Sequence, residues 1–204
     1  VLLVKRRFGA VNGSFSGIRM EYGVTIWYIS DTHFSHQNMV TLFKLPDGTP
    51  ARKFASVEEM DAVMIANWNA VVKPEDHVWH LGDVTFNLCR MDSIMPRLMG
   101  HKRLILGNHD KFKAQQYARW FEKIRGAQIH DKLLFTHFPI APWSLGEKTQ
   151  ANVHGHVHQS MPRLYTVPHR NKDGEEKLCK YVNISVEQVG YRPVSLEEIK
   201  SWIR

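Results

Sequence analysis

Four times along this chain an apolar, β-branched or aromatic run stops at a cluster of Asp, His or Asn. Val24–Ile29 precedes Asp31-Thr32-His33, and Val78–Leu81 precedes Gly82-Asp83. Arg103–Leu106 leads to Gly107-Asn108-His109-Asp110, Lys132–Thr136 leads to His137, and a fifth cluster reads Gly155-His156-Val157-His158. Short apolar runs bounded by turn residues read as buried strands. Each cluster is therefore expected where a strand ends and a loop begins, a placement that lets donors from distant segments converge.

Between these runs lie helical signals. Ser56-Val57-Glu58-Glu59 is a capping box, in which Ser56 and Glu59 satisfy each other's free backbone donors. The helix it opens places Val57, Met60, Met64, Ile65, Trp68, Val71 and Val72 on one apolar face and stops before Pro74. A weaker helix is expected over 90–99, with Pro96 early or kinking it, and another near 113–124. Residues 34–55 read as loop and short helix with a turn at Pro46-Asp47-Gly48. A hairpin is expected from 163–167 and 178–186 around Asp173-Gly174, and a last helix opens at Ser195 with Glu198. Early strand–helix alternation favours parallel pairing, and the later β-rich half favours antiparallel pairing.

The 204 residues suffice for one well-cored domain, expected over 20–204. Four of the 27 basic residues and none of the 20 acidic ones fall in residues 1–19, so more than half of the net charge of +7 sits there. This segment reads as a basic, flexible extension, with Met20 as an alternative start and a nucleic-acid-touching arm as the sharper reading. The rest is mildly basic, which suits anionic substrates. No apolar run approaches the roughly 18 residues of a membrane helix. Cys89 and Cys179 build neither a disulfide framework nor a Cys-x-x-Cys metal pair, so a cytoplasmic location is expected. No phosphate-cradling P-loop or dinucleotide fingerprint occurs.

Asp and Asn offer hard oxygen ligands and neutral His a borderline nitrogen, a mixture that suits Mn, Fe or Zn better than Ca. On an extended strand end, Asp31-x-His33 and His156-x-His158 would point both side chains to one side, because the strand period is two. Gly82, Gly107 and Gly155 are expected in tight turns at positive φ.

The ordered set D-x-H, G-D, G-N-H-D, His and G-H-x-H resembles the calcineurin-like metallophosphoesterase superfamily over roughly residues 24–190. Ser30–Asn38 and Tyr191–Ser195 are similar to segments of its small bacterial and phage members. The resemblance implies a four-layer αββα sandwich with two mixed β-sheets and a site holding two divalent metal ions, Mn first, with Fe, Zn and Ni as alternatives. One ion would take Asp31, His33, Asp83 and His158, and the other Asp83, Asn108, His137 and His156, with Asp83 bridging. A water between them, its pKa lowered from about 15.7 towards ~7, would supply hydroxide to a phosphomonoester or phosphodiester. His109 would protonate the leaving oxygen, with Asp110 orienting its imidazole.

His36 and Asn38 are candidate substrate contacts. His77, His80, His101, His130 and His169 are left unassigned, Arg192-Pro193 reads as structural, and Trp143 is a candidate border of the cleft. The walls are expected from 39–55, 140–151 and 159–180. A nuclease or cyclic-nucleotide phosphodiesterase is the alternative activity, and a catalytically silent scaffold a third reading.

Overall fold

Strand alternation sorts the apolar side chains of the first sheet onto two faces, and each face builds a different half of the core. A computed structural model describes residues 23–45, 47–171 and 173–204. The extension expected over 1–19, and Met20, lie outside them. β1 (Ile26–Ile29), β2 (His77–His80), β3 (His101–Ile105) and β4 (Lys123–Arg125) run parallel side by side. The second sheet has the order β5-β6-β7-β9-β8. Its strands are β5 (Ala127–His130), β6 (Leu133–Thr136), β7 (Ala151–His154), β8 (Leu164–Arg170) and β9 (Glu176–Asn183). β10 (Val194–Ser195) returns antiparallel to the edge of β1.

On one face of the first sheet, Trp27, Ile29, Val78 and Leu104 pack with α1 (Asn38–Thr41), α2 (Val57–Val71), α3 (Leu88–Ile94) and α4 (Ala114–Tyr117). On the other, Tyr28, Trp79 and Ile105 join Leu133, Phe135, Val153 and Val182 of the second sheet in one cluster. Tyr28 and Phe135 stack across that interface at 4.1 Å. α5 (Leu196–Ile203) sends Leu196, Ile199 and Ile203 into the same cluster. The fold is thus mixed α/β, with two mixed sheets face to face and five α-helices among the described residues.

Several expectations shift. The second sheet is not simply antiparallel: β6, β7 and β9 are parallel, flanked by antiparallel β5 and β8. The helix expected near 113–124 ends at Tyr117, and Lys123–Arg125 instead pairs with the open edge of β3, whose backbone groups need partners. Pro96 closes α3 into a 3-10 turn over Met95–Arg97. Ser56 and Ser195 do cap their helices, accepting from the N–H groups of Glu59 and Glu198. Their reciprocal carboxylates go elsewhere: Glu59 accepts from Ala55 N–H, and Glu198 grips Arg192 through two bonds, which gives Arg192 its structural part.

Candidate metal centre

All five motifs leave the carboxyl ends of strands that have parallel neighbours: β1, β2 and β3 in one sheet, β6 and β7 in the other. Open α/β sheets favour a ligand crevice at such ends. A bridge between Ser30 and Ser185 ties the two sheets together there. The loops are then laced to one another: Asp31 N–H donates to Gly82 O, His33 N–H to Asp83 O, and Gly155 N–H to His137 O, each at 3.0 Å.

The donors fall into two groups, Asp31 with His33 and His158, and Asp83 with His137 and His156. One atom joins them. Asp83 Oδ2 lies 3.7 Å from His33 Nε2 and 3.5 Å from His137 Nε2. Asn108 Oδ1 sits 2.8 Å from the same His137 nitrogen.

Strand alternation is not what aims these side chains. Asp31, His33, Asp83, His156 and His158 all have left-handed backbone, with φ of 58°, 46°, 58°, 69° and 45°. Non-glycine residues held there cost roughly 1 kcal/mol or more each, a strain that clusters at functional sites. The glycine expectation also changes. Gly82 does have positive φ, at 102°, but Gly107 and Gly155 do not. They are glycine because side chains lie against them: a Cβ on Gly107 would stand 2.2 Å from Asp83 Oδ1, and one on Gly155 2.0 Å from Ser30 Oγ and 2.1 Å from Asp31 Oδ2. Gly155→Ala should therefore displace Asp31, costing about 1–3 kcal/mol of stability by overpacking and weakening metal uptake. Thermal melts with and without Mn²⁺ check this, and a variant as stable and as metal-responsive as the parent would contradict it.

The donor chemistry fits a cation. His137 Nδ1 meets the Leu81 carbonyl at 2.8 Å, so that nitrogen donates, and Nε2 faces Asn108 Oδ1 at 2.8 Å and Asp83 Oδ2 at 3.5 Å, where a metal-ligating imidazole would present its lone pair. His158 is held in a similar orientation: Nδ1 faces Glu187 Oε1 at 3.0 Å, and Nε2 lies 3.7 Å from Asp31 Oδ1. Burial raises the Asp83 carboxyl above its ordinary range, while burial and neighbouring cationic groups lower the His33 and His156 imidazoles. Opposed lone pairs and disfavoured carboxylate charge are both relieved by a divalent ion.

Two residues that no motif marked support this cluster. Arg52 is fully buried and donates to the carbonyls of Asp31 (2.6 Å) and Thr32 (2.7 Å) and to Glu187 Oε1 (2.8 Å). Burial alone would raise the Glu187 carboxyl, but Arg52 and His158 outweigh it and hold it at about 2. Burial pulls His158 down, and the Glu187 hydrogen bond and charge more than offset it. His80, unassigned from sequence, is also structural here. It accepts from Gly82 N–H and contacts Thr32 Oγ1, and burial lowers its pKa to about 3.

Asp110 does not orient His109. Its carboxylate accepts from the N–H groups of Asp83 and Gly107 at 2.8 Å and of Val84 at 3.2 Å, clamping the two loops. Asp110→Ala strands those donors and should cost about 1–3 kcal/mol, read by chemical denaturation; an unchanged midpoint would contradict the clamp.

His109 donates its own N–H to Asp83 Oδ1 and lines a cavity of about 650 Å³ with His33, His36, Asp83, His156 and His158. His36 therefore reaches the site. Asn38 opens α1, its carbonyl accepting from Leu42 and Phe43, and is not among the lining residues. Among the described residues, the 39–55 stretch supplies wall residues, Gln159 and Ser160 alone represent 159–180, and 140–151 supplies none. Trp143, three-quarters exposed, borders a different groove.

No family model matches the chain. It is 34% identical over 178 residues to the uncharacterized protein MJ1445 of Methanocaldococcus jannaschii, covering 85% of this chain and 88% of that one. It is 30% identical over 170 residues to the gene 66 protein of Mycobacterium phage L5, covering 66% and 78%. The crystal structure of AQ665 from Aquifex aeolicus, a protein of unknown function, superposes with a TM-score of 0.63 at 27% identity, over 88% of this chain and all of that one. The chain belongs to the same family as MJ1445 and the mycobacteriophage gene 66 protein.

Proposed function

We propose that the protein is a phosphoesterase working with two divalent metal ions, Mn²⁺ first among them. The observation that carries this reading is the single carboxylate oxygen of Asp83 shared between two groups of His and Asp donors. Asp31, His33, Asp83 and His158 would hold one ion, and Asp83, Asn108, His137 and His156 the other. When bound, the ions acidify a water and neutralise charge on phosphorus. The αββα layering belongs to the same proposal; the facing sheets and the helices over the first sheet support it.

The chain's own residues do the rest. Arg52 and Glu187 fix Asp31 and His158 from behind. His109, whose ring packs 4.6 Å from Phe86 at the cavity wall, delivers a proton to the departing ester oxygen. The test is hydrolysis of a chromogenic phosphodiester and monoester with added Mn²⁺. Turnover that a chelator abolishes is expected, and silence with Mn, Fe, Zn and Ni alike would favour a scaffold instead. His109→Ala should lose most turnover, about 10²–10⁴-fold, while still binding Mn²⁺. Loss of metal together with activity would make His109 a ligand.

A further inference from the structure

The cavity beside the candidate metal centre is lined by two unlike kinds of group. Beside the donors His33, Asp83, His156 and His158, His109 and Lys44, it has an apolar wall of Met39, Phe43, Leu45 and Phe86. Phe43 and Phe86 are 49% and 41% exposed, large apolar surfaces left open at a site otherwise built for anions. Neither is loosely held. Phe86 lies nearly parallel to His33 at 5.4 Å and contacts His36 at 4.4 Å and His109 at 4.6 Å. Phe43 meets His36 edge-on at 5.9 Å, and it sits on a short turn pinned by Ala51 N–H to Phe43 O and Leu45 N–H to Thr49 O. Arg52, the cation behind the site, is fully buried and committed to backbone carbonyls and Glu187.

A site for inorganic phosphate or a small alkyl monoester has no use for such a wall. A planar aromatic group does, because its face stacks on aromatic side chains and gains area burial besides. Resting on the phosphoesterase reading above, we propose that Phe43 and Phe86 form a subsite for a planar aromatic ester group, a nucleobase or an aryl ring. Because Phe86 touches His109, the ring seated there belongs to the group that departs. Water oxygen bonds to phosphorus and releases one proton to solvent, the P–O bond to this group breaks with its electron pair, and the freed oxygen takes the proton from His109, which regains one from solvent.

Binding is the measurement, so that chemistry and recognition separate. Phenylphosphonate and methylphosphonate differ only in the ring and are not hydrolysed. Calorimetry on the Mn²⁺-loaded protein should give phenylphosphonate about tenfold or more tighter binding, in line with aromatic stacking on a protein ring. In Phe86→Leu and in Phe43→Ala that ratio should fall towards one, and Phe86→Tyr should retain it. Melting curves confirm that the variants fold. Equal affinity for the two ligands, or a ratio unmoved by both substitutions, would overturn the subsite, while chelator-sensitive turnover would leave the phosphoesterase reading standing. If neither ligand binds and no ester is hydrolysed, both fall together.

Discussion

Asp83→Ala is expected to disable both halves of the donor cluster at once. Its Oδ2 is the atom common to His33 and His137, and its Oδ1 accepts the His109 N–H at 2.9 Å. Removing the carboxylate should leave each group short of a ligand, remove the negative charge that would keep two cations together, and free the loop carrying His109. Mn²⁺ stoichiometry should fall from two towards zero, and turnover should drop to the level of the chelated protein. His156→Ala makes the contrast, because its side chain belongs only to the second group while its backbone N–H, which donates to both Asp31 oxygens, is retained, so Mn²⁺ should stay at the Asp31 group. Elemental analysis after gel filtration, paired with electron paramagnetic resonance of bound Mn²⁺, separates the cases. An Asp83→Ala protein that still carries a spin-coupled pair of ions would refute the bridging assignment.

What made the cluster readable was residue type. Asp, His and Asn after apolar runs have few other reasons to recur in that order, and all five motifs do emerge at neighbouring strand ends. The strands were readable for the same reason, since Trp27, Tyr28 and Ile29 alternate between two cores. The geometry behind the motifs was not. Left-handed backbone at Asp31, His33, Asp83, His156 and His158 is uncommon for any residue but glycine, and although Asp and His enter it more readily than most, no sequence pattern announces it. Asp110 misled because its neighbour is His109, yet the turn at 107–110 sends its carboxylate to the backbone instead. Arg52 and Glu187 lie 135 positions apart, each solitary in its own segment, and only folding makes them a pair. Their nearest sequence signal was negative: an arginine within a loop otherwise read as cleft wall.

Separating Arg52 from Glu187 should produce the other large effect, in two parts that can be pulled apart. Both side chains are buried, at 0% and 1% exposure. Arg52→Met alone leaves a carboxylate without its cation in the interior, which typically costs about 3–5 kcal/mol. Glu187→Gln keeps the shape but loses the charge that directs the His158 proton to Nδ1, and such supporting contacts are worth about 10–100-fold in metal affinity. The double variant Arg52→Met/Glu187→Leu distinguishes the two jobs. Replacing a buried ion pair by apolar groups of similar size is often close to neutral, so stability should recover well above that of Arg52→Met. Metal affinity should not recover, because His158 still lacks its acceptor and the Asp31 and Thr32 carbonyls still lack the guanidinium. Urea denaturation and Mn²⁺ titration on the same three proteins read both quantities. Recovery of affinity alongside stability would mean that the pair only fills space, and that Asp31 and His158 hold their positions without it.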